Sequence, residues 1–200
     1  MEHSKPWDAR LAYKLIYPLR DSRVSPNQLT TVRMLVGILA CFCLAAGGYV
    51  WMNIGAFCFA LSNFLDHTDG ELARLTGKMS KFGHYYDLAS DALVNILLFV
   101  GIGFGLSQTK LGGYAPPMGI LAGISIAAIF QMRLVIENAV GKADARQPHF
   151  AGFEAEDVLY VLPLISLFDQ LVPFLILASI GAPLFALWVL REFIALKKQS

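Results

Sequence analysis

Long apolar runs broken by short polar stretches dominate the chain. Six of them approach the roughly 20 residues that the hydrocarbon core of a bilayer demands of a helix. They cover about 30–49, 51–74, 86–106, 118–136, 158–171 and 172–190, the second turning polar after residue 65 while keeping a helical period. The fifth is short and holds Pro163, and Asp169, Gln170 and Pro173 predict a turn between it and the sixth. Ahead of the first run, Trp7, Leu11, Leu15 and Leu19 recur every four residues with Ile16 beside them, while Arg10 and Lys14 take another face. Pro6 suits a helix start, so residues 7–20 are expected to form an amphipathic helix anchored in the headgroup layer. The expected architecture is an all-α integral membrane protein. It has six transmembrane helices in a single membrane domain over residues 1–200, plus the interfacial helix.

Charge placement agrees with that count, because an even number of spans puts both termini on one side. Lys5, Arg10, Lys14, Arg20 and Arg23 precede the first run, and Arg33 sits near its start. Arg74, Lys78 and Lys81 lie between the second and third runs, Arg133, Lys142 and Arg146 between the fourth and fifth, and Arg191, Lys197 and Lys198 at the end. Lys110 falls in an opposite-side connection, so fifteen of the sixteen Lys and Arg share one side, which the positive-inside rule makes cytoplasmic. A bacterial cytoplasmic membrane is the expected location. Composition points the same way: 56% of residues are hydrophobic, mean hydropathy is +0.55, and 16% are charged, against about 25% in typical soluble domains. A net charge of +1 argues against a nucleic-acid partner, which needs a concentrated basic face. Residues 1–15 do not carry the apolar stretch and small-residue cleavage site of a signal peptide. Cys41, Cys43 and Cys58 all lie in apolar runs without a metal-ligand spacing and read as small buried hydrophobes.

The polar break between the second and third runs carries the chemistry. Asp66, Asp69, Asp87 and Asp91 fall within 26 residues, flanked by apolar sequence on both sides. Ionisable groups beside hydrocarbon are costly and are functional candidates by default. Asp66 and Asp69 are three apart, Asp87 and Asp91 four apart, so each pair shares a helix face. Two helix ends could bring four mutually repelling carboxylates into one space, and a hard divalent cation, Mg²⁺ or Mn²⁺, would offset that repulsion. Gly70, Ala73 and Gly83 lie on the same stripes and leave open volume, and Arg74 adds a cation whose fork matches phosphate. Carboxylates, space and an arginine together suit a diphosphate ligand.

These positions form the pattern D-x2-D-G-x2-A-R-x8-G-x3-D-x3-D, met here by Asp66, Asp69, Gly70, Ala73, Arg74, Gly83, Asp87 and Asp91. In this the chain resembles the CDP-alcohol phosphotransferases. The resemblance implies a six-helix membrane enzyme, usually a homodimer. Such an enzyme attacks a CDP-linked alcohol with an acceptor alcohol, releases CMP, and makes phospholipids. It further implies that Asp66, Asp69, Asp87 and Asp91 hold metal, that Gly70, Ala73, Arg74 and Gly83 bind CDP, and that Asp91 acts as general base with Asp87 beside it. At least one of the two alcohols would be a lipid.

Other residues carry weaker readings. Arg133 and Arg191, in the last turns of their helices, are candidates for holding an acceptor phosphate, against ordinary anchoring at the membrane edge. Glu154, Glu156 and Asp157 suit a helix N-terminus; Glu154 and Asp157 are also candidates for a cationic acceptor group. Asn63 and Asn95 extend the two acidic stripes by a turn, as outer hydrogen bonders or as helix contacts, and His67 points to another face. Gly101/Gly105 and Gly119/Gly123 allow close helix approach, within one chain or between two. A divalent-cation transporter and a metal-dependent diphosphate phosphohydrolase are the rival readings. The transporter fits less well, since transporter ion sites sit near the bilayer midplane and all four aspartates lie at one edge. The phosphohydrolase shares the metal site and differs in using water as the acceptor.

Overall fold

Ser25 and Gln28 start the first long helix. Gln28 N–H donates to Ser25 Oγ at 3.3 Å and Ser25 N–H to Gln28 Oε1 at 2.8 Å, with Pro26 in the first turn. This reciprocal cap satisfies two otherwise orphaned donors, and α1 runs Pro26–Ala46, starting four residues before the apolar run suggested. The computed structural model describes residues 13–140 and 159–197, which are helices, turns and short connections without a strand.

Gly47 and Gly48, at φ 71° and 74°, reverse the chain in two residues, a conformation that L side chains resist. α2 then runs Tyr49–Thr76 and stops at Gly77 in the left-handed region. Ser80 caps α3, Lys81–Gly105, by accepting from Gly83 N–H at 2.9 Å. Two single 3₁₀ turns around Lys110 lead to α4, Ala115–Val140. After the segment outside the described residues come α5, Leu162–Leu167, and α6, Leu171–Lys197. The turn expected between them is present, with Asp169 at φ 57°.

α1 is the central wedge. It packs on α2 with one side and on α3 with another, whereas α2 and α3 scarcely meet; α4 covers α3, α6 covers α4, and α5 rests on α2. The glycine pairs explain how tightly this closes. A Cβ on Gly105 would lie 2.0 Å from the Leu44 carbonyl oxygen of α1, and one on Gly119 2.2 Å from the Phe99 carbonyl oxygen of α3. Both pairs therefore serve packing within the chain. Around them Leu44, Met52, Phe59, Leu98, Phe99 and Ile102 form the buried core, while Phe42, Leu61, Leu177 and Leu184 point outward. Apolar exposure on this scale suits lipid better than water.

Among the described residues, four helices are long and apolar enough to cross a membrane: Pro26–Ala46, Lys81–Gln108, Gly112–Ile136 and Leu171–Leu196. The second expected span is continuous helix, but Asn53, Asn63 and Asp66 interrupt its apolar run, and it is not one of the four. Of the fifth, residues 159–171 are described: a 3₁₀ turn at 159–161 runs into the six-residue α5, about 9 Å long at ~1.5 Å per residue. Of the expected interfacial helix, residues 7–12 lie outside the described residues, 13–16 are helical and Tyr17–Leu19 form a 3₁₀ turn.

Candidate active site

The C-terminal part of α2 and the N-terminal part of α3 scarcely touch, and α1 places Arg33 between their carboxylates. This guanidinium is 2% exposed and meets all four aspartates. Its Nε lies 3.2 Å from Asp66 Oδ1 and 3.6 Å from Asp69 Oδ2, its Nη2 2.9 Å from Asp87 Oδ1, and its Nη1 2.7 Å from Asp91 Oδ1. Nη2 also donates to the Asp87 carbonyl at 3.2 Å, and Ser62 Oγ donates to the Arg33 carbonyl at 2.8 Å, so backbone and head group are both fixed. Expected as one more positive group near a span's start, Arg33 is the hub of the site.

Asp66, Asp69 and Asp87 offer carboxylate oxygens that lie within 4.8 Å of one another. The pairing of two aspartate stripes predicted from their spacing thus occurs, with α2 supplying two members and α3 one. Asp91 falls outside this group of three and is held by Arg33 Nη1. Thr30, one turn before Arg33 on α1, donates to Asp69 Oδ2 at 2.6 Å and holds that buried carboxylate in place. Sequence reasoning missed Thr30, though its spacing to Arg33 puts both on one face.

Two cavities flank the cluster. The larger, about 330 Å³, is walled by Asp69, Gly70, Ala73, Arg74, Gly83 and Asp87 together with Asn27 and Ser80. Six of the eight motif positions therefore line this space, and the other two, Asp66 and Asp91, are joined to its aspartates through Arg33. Gly70 faces open volume: a Cβ there would meet only Arg74 Nη2, at 3.6 Å. Gly83 has a second reason to be glycine, since a Cβ would come 2.9 Å from Asn27 Oδ1 and 3.1 Å from Ser80 Oγ. Arg74 is largely exposed and pairs with Glu71 at 2.9 Å, leaving the rest of its fork toward solvent. The smaller cavity, about 110 Å³, has Asp66, Asp91, Asn63, Asn95 and Gln131 among its walls. Asn95 Nδ2 donates to the Asp91 carbonyl at 3.0 Å, and Gln131 of α4 to the Leu88 carbonyl at 3.1 Å.

The family model for CDP-alcohol phosphatidyltransferase matches residues 23–190. This chain belongs to the CDP-alcohol phosphatidyltransferase family. Among curated relatives, the archaetidylinositol phosphate synthase of Pyrococcus horikoshii is 38% identical over 82 residues, 41% of this chain and 42% of its own length. The bifunctional IPC transferase and DIPP synthase of Rubrobacter xylanophilus is 31% identical over 182 residues, 90% of this chain and 39% of its own. The archaetidylinositol phosphate synthase of Methanothermobacter thermautotrophicus is 31% identical over 134 residues, 66% of each. The chain thus spans about two fifths of the length of the first two.

Within this CDP-alcohol phosphatidyltransferase domain the weaker candidates sit apart from the aspartates. Arg133 lies 3.4 Å from Glu192 and stacks over Phe185 and Trp188, tying α4 to α6. Arg191 is exposed on α6. Neither lines the two cavities beside the cluster. Glu154 and Asp157 lie outside the described residues. His67 Nδ1 approaches the Asn63 carbonyl of its own helix at 3.2 Å.

Proposed function

We propose that this chain transfers a phosphoalcohol group from a CDP-linked alcohol to an acceptor alcohol, releasing CMP, in phospholipid biosynthesis. The observation that carries the reading is the convergence of Asp66, Asp69 and Asp87 beside a cavity lined by Gly70, Ala73, Arg74 and Gly83. The donor set fits Mg²⁺ or Mn²⁺: it is all carboxylate oxygen, and Arg33 takes one oxygen of Asp66 and one of Asp87, leaving their second oxygens available. A bound divalent cation there would neutralise charge on the diphosphate and on the departing CMP.

The chain's own residues divide the remaining work between the cavities. Gly70, Ala73 and Gly83 make room for the nucleotide in the larger one, and Arg74 turns from Glu71 toward the diphosphate. Asp91, on the smaller cavity, accepts the proton of the acceptor hydroxyl. That oxygen then bonds to the phosphorus bearing the donor alcohol as the bond from that phosphorus to the CMP oxygen breaks. Asn63, Asn95 and Gln131 orient the acceptor. The names of the relatives make a phosphorylated inositol the first acceptor to assay, and the acidity of Glu154 and Asp157 makes a cationic amino alcohol the second. A phosphorylated acceptor would have to draw Arg133 away from Glu192 to use it. We place the domain in the membrane as six spans with residues 7–20 on the surface, both termini and the site cytoplasmic, and as a homodimer.

The test is CMP release by the purified protein from CDP-diacylglycerol with Mn²⁺ and a panel of acceptor alcohols. Release that depends on one acceptor class, with the phosphoalcohol found on it, is the expected result. Equal release with and without acceptors, yielding phosphatidate, would make the protein a phosphohydrolase.

A further inference from the structure

The four aspartates and Arg33 leave a formal charge of three minus, with Arg33 and Asp69 buried and Asp66, Asp87 and Asp91 half-buried. Without the guanidinium it would be four minus, on carboxylates brought together by two helices that scarcely pack on each other. α2 and α3 are held in register at this end through α1, and the polar contact α1 makes to both at once is Arg33. Its geometry is that of a fork shared among carboxylates of both helices, at 2.7–3.6 Å, with its carbonyl anchored by Ser62 of α2 and its Nη2 anchored by the Asp87 carbonyl of α3. A buried arginine so placed does two things. It keeps like charges assembled, and it opposes any further cation drawn to the same oxygens.

We propose that Arg33 is the resident counter-cation of the aspartate cluster, a positioning residue that holds the site open before a divalent metal arrives and sets how tightly that metal is bound. This rests on the metal-site part of the proposed function. It adds that metal affinity is held down by a fixed positive charge, so that an anionic diphosphate, rather than the carboxylates alone, completes the binding of the metal. It also distinguishes Asp91 from the three clustered aspartates: Asp91 meets the guanidinium through Nη1 and lines the smaller cavity together with Asp66.

The experiment uses the full chain in detergent micelles with Mn²⁺ alone as probe, following free Mn²⁺ by its paramagnetic resonance and unfolding by a thermal melt. Native protein that binds no Mn²⁺ in the absence of nucleotide, and none with CDP, would sink the metal-site reading itself. Given native binding, Arg33→Met should bind Mn²⁺ about tenfold more tightly or better, since a unit charge on the shared carboxylates has been removed. Its melting temperature should fall without metal and recover most of the loss when Mn²⁺ is added. Arg33→Lys keeps the charge but not the fork. It should keep the native Mn²⁺ affinity within about threefold while melting lower without metal. Leu44→Ala, a cut in the core away from the site, should lower melting equally with and without Mn²⁺. Weaker Mn²⁺ binding by Arg33→Met, or a melting loss that metal does not reverse, would overturn the proposal. So would failure to obtain the variant even when it is expressed and purified with Mn²⁺.

Discussion

The two ends of the α1–α2–α3 unit are built on opposite principles. At the far end, glycine removes side chains so that backbones touch: Gly101 and Gly105 of α3 press on Cys41 and Leu44 of α1. At the site end, charge and space replace contact: Arg33 stands between carboxylates, and cavities open on either side. The same three helices therefore carry a rigid closed end and an open polar end. The difference shows why a polar cluster can survive beside hydrocarbon here. Dense packing at one end fixes the helix angles, so the separation that makes room for a ligand does not have to be maintained by the ligand.

Substitutions at the two ends should separate these roles. Asp87→Asn removes one oxygen of the clustered three and should cut CMP release by more than about 100-fold, beyond the loss typical of groups that merely orient a metal ligand. The protein should still insert and melt cooperatively; substantial turnover at saturating Mn²⁺ would contradict the site assignment. Gly105→Ala strikes the closed end, where the new Cβ would meet a backbone oxygen. It should cost about 3 kcal/mol, the upper range for overpacking, seen as a lower melting temperature with or without ligands. CDP with a divalent cation should stabilise the native protein by about 2.7 kcal/mol at a hundredfold excess over its dissociation constant. Gly70→Leu should abolish that gain while leaving Mn²⁺ binding intact, and equal stabilisation by ADP would show that the larger cavity does not read cytosine. Thr30→Val deletes the bond to Asp69 and should weaken metal affinity by roughly 10-fold, measured by titration. Gly70→Ala is the mildest change and should have the opposite sign to Gly105→Ala. With only Arg74 nearby, it should raise the stability of the ligand-free protein by about 0.5–1 kcal/mol through helix propensity.

The aspartates were legible because spacing on a helix is a strong constraint: three and four residues apart, they could only share faces. Four of the six expected spans were legible as long apolar helices, since apolar length is set by a bilayer's thickness, whereas the second run is helical without being apolar enough to count and the fifth holds the six-residue α5. The turn at Asp169 was legible from its polar and proline punctuation. Arg33 was not, because an arginine close to a span's end has an ordinary explanation in the positive-inside rule. The signal that could have found it lies in Ser25, Pro26 and Gln28. Read as a capping box, they start the helix at Pro26 and put Arg33 two turns inside it, where an ionisable group calls for a partner. The contrast between the two glycine-rich ends was also out of reach. Spacing shows that small residues share a face, but not whether that face meets a backbone, as at Gly105, or a cavity, as at Gly70.

The length of α2 has a consequence for how substrates arrive. Its 28 residues extend about 42 Å at ~1.5 Å per residue, against roughly 30 Å of hydrocarbon. The surplus is about two turns; if α2 crosses as the proposed six-span topology has it, Asp66 would stand near the hydrocarbon boundary and Arg74 at the depth of lipid phosphates. Under that topology and the proposed function, a lipid donor or acceptor would reach the carboxylates by sliding sideways in its own leaflet, its acyl chains never leaving their neighbours. The search is two-dimensional, and turnover should follow the mole fraction of that lipid in the bilayer rather than its amount per volume of solution.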